Sequence, residues 1–240
     1  MNTNKYVIAL IGLALGFVIS FFLTQNYNKS NAAPGVSPSQ SGMPGAAGGA
    51  GGQQAMMGQV QQILSNAKNN PKDVDAQVEA ARAFYQIGRV KEATEYLQKA
   101  YDLDTNNFSV AANLGILYSD QANYPDAEKY FRRAIEIKGD EPEVHTELGA
   151  TFINREIPEP DKAIQALQQA LKIDPKSGHA LGHLVEAYAL KRDARDAEDT
   201  LNRLKAADPT NQRVPAQRVS ALETLVADLK AGKAVNIPKE

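Results

Sequence analysis

Apolar positions along the chain follow two different rules. From Tyr6 to Leu23 they run on for eighteen residues without a charge. From Gln53 onward they recur at the i, i+3, i+4, i+7 spacing of a helix with one buried face. The first such helix covers 53–69, with Met56, Met57, Val60, Ile63, Leu64 and Ala67 on one side. The last covers 215–231, with Val219, Leu222, Leu225, Val226 and Leu229. Between them lie short helices joined by turns. Val110, Leu114, Leu117 and Tyr118 share one face, and Ala127, Tyr130, Phe131, Ala134, Ile135 and Ile137 mark the next helix. Gly88 supplies a left-handed cap in Gln86-Ile87-Gly88-Arg89. Turns such as Asp174-Pro175-Lys176 and Asp208-Pro209-Thr210 close the pairs.

These helix pairs repeat. Phe84, Tyr118, Phe152 and Tyr188 are separated by 34, 34 and 36 residues, and Ala93, Ala127, Ala163 and Ala197 by 34, 36 and 34. Leu97, Phe131, Leu167 and Leu201 keep the second spacing, as do Ala100, Ala134, Ala170 and Leu204. A shared period across four columns marks a repeat architecture. The small residues let helices approach, and the aromatic beside them fills the remaining space. The pattern resembles the tetratricopeptide repeat from Val74 to Asn211. It departs in having no Trp in the first-helix packing column, where Gln77, Ala111, His145 and Leu181 stand. Val185 also replaces the small residue held by Ala81, Gly115 and Gly149. The resemblance implies an all-α, right-handed superhelical solenoid of four helix-turn-helix repeats, at 74–107, 108–141, 142–177 and 178–211. A leading helix at 53–73 and a capping helix with its tail at 212–240 flank them. The third repeat carries two extra residues between Phe152 and Ala163, read as a protruding loop stiffened by Pro158 and Pro160, with Asp161 capping the helix that follows.

The amino-terminal third is of another kind. As a helix, the uncharged span is roughly 27 Å long at ~1.5 Å per residue, close to the ~30 Å hydrocarbon core of a bilayer. It predicts a transmembrane anchor within 1–24, with residues 6–23 in the membrane. The competing reading is a cleaved secretory signal ending near Ser30-Asn31-Ala32, but signal cores usually span only about 7–15 residues. A five-residue tail before the span predicts a single-pass protein with its folded part on the extracytoplasmic, periplasmic side. Gly12 and Gly16 could pair two anchors into a homo-oligomer, although glycine is common in membrane helices. Residues 25–52, rich in Gly, Pro, Ala and Ser, read as a flexible linker.

Charge and composition narrow the function. A net charge of −2 argues against a nucleic-acid partner, and the lack of cysteine excludes disulfides, thiol catalysis and thiolate metal sites. His179 and His183, with Glu186 three residues on, have metal-ligand spacing, but no fourth ligand is marked. Asp102-Leu103-Asp104-Thr105-Asn106 begins like a calcium loop and then places Asn107 where glycine is needed. No nucleophile or acid/base constellation stands out. Neither an enzyme nor a cofactor is expected.

With the core stripe removed, Val78, Arg82 and Tyr85 remain on the first helix of the first repeat. Ser109, Ala112, Asn113 and Ile116 remain on the second, Thr146 on the third, and His179 and His183 on the fourth. The family resemblance implies that such faces line a concave groove for an extended peptide or partner helix. A plain solvated face would carry residues there too. The family's carboxylate clamp is not expected. Asn113 fits one place, but Arg82 replaces an asparagine, and Glu143 and Glu147 reverse two charges. The expected function is a membrane-anchored adaptor or scaffold for a protein or peptide, in cell-envelope assembly. A self-associating structural envelope protein is the second reading, and a metal-binding module at His179 and His183 the third.

Overall fold

The computed structural model of the chain describes residues 50–209 and 214–237. The expected anchor at 6–23, and the linker up to residue 49, lie outside them. Among the described residues there are ten α-helices: α1 Ala50–Asn69, α2 Val74–Gln86, α3 Val90–Leu103, α4 Phe108–Asp120, α5 Tyr124–Ile137, α6 Pro142–Ile153, α7 Pro160–Ile173, α8 Gly178–Leu190, α9 Ala194–Ala207 and α10 Ala216–Lys230. No described helix is long and apolar enough to cross a membrane. α1 begins at Ala50, three residues before the apolar period starts, because Ala-Gly-Gly offers no apolar signal to read. Helices α2 to α9 form the four expected pairs.

Local chemistry starts these helices. Asp73, Asn107 and Ser177 precede first helices, and each accepts a hydrogen bond from the backbone N–H three residues on. This satisfies one of the donors that a helix N-terminus leaves open. Asp193 does the same for α9. The expectation for Asp161 is corrected. Glu159 occupies the cap position of α7 without a side-chain bond, and Pro160 fixes the first turn. Asp161 already lies inside that turn, and its carboxylate pairs with Lys191 at 2.8 Å.

The described residues fall into two compact units, one ending at Asn113 and one beginning at Leu114. In the first, α1 packs on α2 and α2 on α3. Ala67, Ala76 and Ala80 are buried together, with Ile63, Leu64 and Tyr96 against them. Gln77, in the packing column that lacks Trp, is fully buried and donates to the carbonyls of Ala67 (2.9 Å) and Asn70 (3.1 Å). It thereby satisfies orphan acceptors at the end of α1. In the second unit each helix from α5 to α10 packs on the next, and α6 on α8 and α8 on α10 pack directly as well.

The small-residue column has the mechanical role expected of it. A Cβ at Gly115 would stand 2.6 Å from the Phe131 ring, and one at Gly149 would stand 2.6 Å from Leu167 Cγ. Phe131 and Leu167 are themselves fully buried. Each glycine therefore lets a first helix settle onto the large side chain of its own partner helix.

The turn inside each pair is closed by one recurring bond. The N–H of Arg89 donates to Phe84, that of Asn123 to Tyr118, and that of Asp193 to Tyr188, at 2.8–2.9 Å. Just before that donor the backbone turns left-handed, at Gly88 (φ 76°), Ala122 (φ 55°) and Arg192 (φ 60°). Only the first of these is the glycine such a conformation favours. Ala122→Gly is therefore expected to stabilise the protein by about 0.5–1 kcal/mol, where glycine in a helix interior would destabilise it. Chemical denaturation reads this directly, and a lower midpoint in the variant would refute it.

Candidate functional site

First helices carry the residues expected to face a groove, and the structure divides them. Arg82 and His179 are exposed, and Val78 and Asn113 are half-buried. Tyr85, Ser109, Ala112, Ile116, Thr146 and His183 are buried, so these six do not line an open surface. In the second unit the reason is visible. α6, α8 and α10 pack face to face, and positions between them are taken up by that packing. Thr146 turns its hydroxyl back to the Pro142 carbonyl, 2.9 Å away. Glu143, which the clamp comparison marked as reversed, is reachable by solvent yet hemmed in by protein. Desolvation, with repulsion from Glu141 and Asp174, pushes its carboxyl above the usual range.

The three residues of metal-ligand spacing have separate fates. His183 Nδ1 lies 2.9 Å from Glu186 Oε2, and Arg218 Nη2, on α10, lies 2.7 Å from Glu186 Oε1. The Glu186 side chain is 2% exposed and Arg218 15%. Glu186 thus already has a guanidinium as its cation. His179 stays at the surface one turn earlier. Among the described residues no group of three or more His, Cys, Asp or Glu is placed to hold a metal ion. The network joins the fourth repeat to the capping helix, and sequence reasoning missed it because Arg218 lies outside the repeating columns. His145 is buried in its packing column, with Nε2 3.0 Å from the Gly139 carbonyl. The residues read as a false calcium loop form a turn, in which Asp104 Oδ1 accepts from the N–H of Asn106.

The two-residue insertion projects as expected. Glu159 donates its N–H to Phe152 at 2.9 Å, the same closing bond as in the other repeats, so the extra residues are extruded between those two positions. Arg155 is pinned inside the loop. Its guanidinium bonds Glu128 of α5 and Glu159, and lies 4.8 Å from the Phe152 ring centroid. Arg132 also bonds Glu128, and Lys162 also pairs with Glu159. Desolvation opposes ionisation of Glu128, but hydrogen bonds from Arg132 and Arg155 outweigh it and hold the carboxyl below its ordinary range. The bond from Lys162 does so for Glu159, aided by the charge of Arg155. At the far side of the loop, Ile157 is 81% exposed.

Comparison with known proteins places this geometry. Tetratricopeptide-repeat profiles match residues 88–148 with 159–216, and residues 61–108, together more than half of the chain. The break at 149–158 contains the inserted loop. Superkiller protein 3 of Schizosaccharomyces pombe is 27% identical over 154 residues, 61% of this chain. Cilia- and flagella-associated protein 70 of Homo sapiens is 31% identical over 126 residues, 51% of this chain. In each case the match spans only 11% of the relative's length. Among solved structures, MamA from Desulfovibrio magneticus RS-1 superposes with a TM-score of 0.61 at 17% identity, covering 67% of this chain and 89% of that one. A thermophilic tetratricopeptide-repeat protein of Thermus thermophilus gives 0.54 at 19% identity, covering 72% and 95%. These likenesses show the fold, an array of helix pairs built from one repeating unit. With its columns, its closing turns and its profile matches in agreement, this chain belongs to the tetratricopeptide repeat family.

Proposed function

We propose that the protein is a membrane-tethered adaptor that holds a protein or peptide partner against the first-helix faces of its repeats and acts by binding rather than by catalysis. The observation that carries this reading is the pair Arg82 and Asn113. They sit on the first helices of successive repeats, one exposed and one half-buried, with the half-buried Val78 one turn before Arg82. A guanidinium and an amide on successive first helices, with an apolar side chain one turn before the guanidinium, suit an extended peptide, whose backbone offers carbonyls and N–H groups at regular intervals. The uncharged span at 6–23 supports the tether, and the Gly- and Pro-rich stretch after it supports a flexible reach from an extracytoplasmic membrane face into cell-envelope assembly.

The test uses the full chain, recovered from detergent-solubilised membranes with its associated proteins. Losing a charge-assisted hydrogen bond to a partner costs about 1.5–3 kcal/mol, against roughly 0.5 kcal/mol for an innocuous surface change. Arg82→Ala combined with Asn113→Ala should therefore weaken the purified partner's binding at least about tenfold, with the melting transition nearly unmoved. If that variant binds normally and substitutions at Gly12 and Gly16 abolish association, the protein is instead a self-associating structural element. Mature protein beginning at Ala33 and released by osmotic shock would remove the tether.

A further inference from the structure

We propose that the inserted loop of the third repeat is a docking peg for a partner protein, with Ile157 entering an apolar pocket on that partner whose rim carries a lysine or arginine facing Glu156. Three observations converge on it. The loop is surplus to the repeat, because the bond from Glu159 to Phe152 closes the helix pair just as the corresponding bonds do where the two residues are missing. It is nonetheless fastened. Arg155 ties it to Glu128 and Glu159, the Phe152 ring backs the guanidinium, and prolines stand at 158 and 160. And the fastened loop presents a large aliphatic side chain to water, Ile157 at 81% exposure, where the next most exposed large apolar residues among the described ones, Leu103 and Ile173, stand at 41% and 40%.

A single exposed isoleucine is common on protein surfaces. A braced one is different in consequence, because a loop already held in place gives up little conformational freedom on docking, and the burial of its apolar tip is retained as affinity. Charge identifies the chemistry of the pocket. Glu128 is met by Arg132 and Arg155, Glu159 by Arg155 and Lys162, and Asp161 by Lys191. Among the described residues, Glu156, exposed beside the tip, is the acid of this loop left to meet a cation of the partner. The same charge disfavours an anionic lipid surface as the occupant. The loop belongs to a turn between helices rather than to a first-helix face, so this contact is separate from the Arg82 and Asn113 surface and does not rest on that reading.

The experiment places a diazirine-bearing aliphatic amino acid at position 157 of the full chain, with a second chain carrying it at position 173 as control. After illumination in cells, the protein joined to position 157 and absent from position 173 is purified and titrated against the unmodified full chain. Ile157→Asp should weaken that binding roughly thirtyfold, Ile157→Val by about threefold or less, and Glu156→Arg by roughly tenfold with a reversed salt dependence. Arg155→Ala should weaken it with the apolar tip unchanged, by releasing the loop. Adducts only to lipid, the same adducts from both positions, or a captured protein that binds Ile157→Asp as tightly as the parent would each overturn the peg.

Discussion

Arg218→Ala is expected to destabilise the C-terminal unit by about 3–5 kcal/mol, because it strands the Glu186 carboxylate away from water with its cation removed. Glu186 is 2% exposed, and the atom facing Arg218 has no other hydrogen-bond partner. His183 reaches the opposite carboxylate oxygen and would have to carry the whole charge if protonated. The loss should be local at first, because stacked repeats exchange stability mainly with their neighbours. Hydrogen exchange should speed up in α10 and α8 before it does in α6. The double change Arg218→Met with Glu186→Leu removes both charges and keeps the volume, and should recover most of the deficit. A loss under about 1 kcal/mol for Arg218→Ala would mean that water reaches Glu186 once the guanidinium is gone, and that the pair is a surface feature.

Gly149→Ala should destabilise the repeats by about 1–3 kcal/mol, a large loss for the addition of one carbon. The new methyl meets Leu167 at 2.6 Å (Cγ), 2.8 Å (Cδ2) and 3.3 Å (Cδ1), which is the branched part of the side chain rather than a flexible end. Leu167 is fully buried and cannot swing out, so α6 and α7 must separate. The control is Gly182→Ala in the next first helix, whose Cβ would have only Leu222 Cδ1 at an ordinary 3.7 Å. Better helix propensity at that site should leave stability level or slightly raised. Equal losses at the two glycines would place the effect in the backbone and refute the clash with Leu167.

The repeat itself could be read from the chain because it is written in evenly spaced columns. Gly115 and Gly149, set against Phe131 and Leu167, state in sequence which small residue admits which large one. What stayed hidden depends on relations without a period. The left-handed turns at Ala122 and Arg192 are imposed by the closing bonds to Tyr118 and Tyr188, and nothing in an alanine or an arginine announces that conformation. Arg218 finds Glu186 across 32 positions, from a helix that does not belong to the repeat. The groove was the least legible part. A helical wheel separates the side facing its own partner helix from the side facing away, but the second side is shared between solvent and the neighbouring first helix. Thr146 and His183 fell to that neighbour's share, and Arg82 and His179 to solvent.

The closing bond also separates spacing from length. Four residues lie between Phe84 and Arg89, between Tyr118 and Asn123, and between Tyr188 and Asp193, while six lie between Phe152 and Glu159, yet the same donor finds the same acceptor. Loop closure grows only logarithmically with length, at about 0.6 kcal/mol per doubling, so two added residues cost less than one good hydrogen bond returns. The turn inside each helix pair is therefore an open socket in the scaffold. New peptide spliced in at 87–88, 121–122 or 191–192 is expected to leave the helices on either side in place, so that a displayed sequence could be moved from one repeat to another.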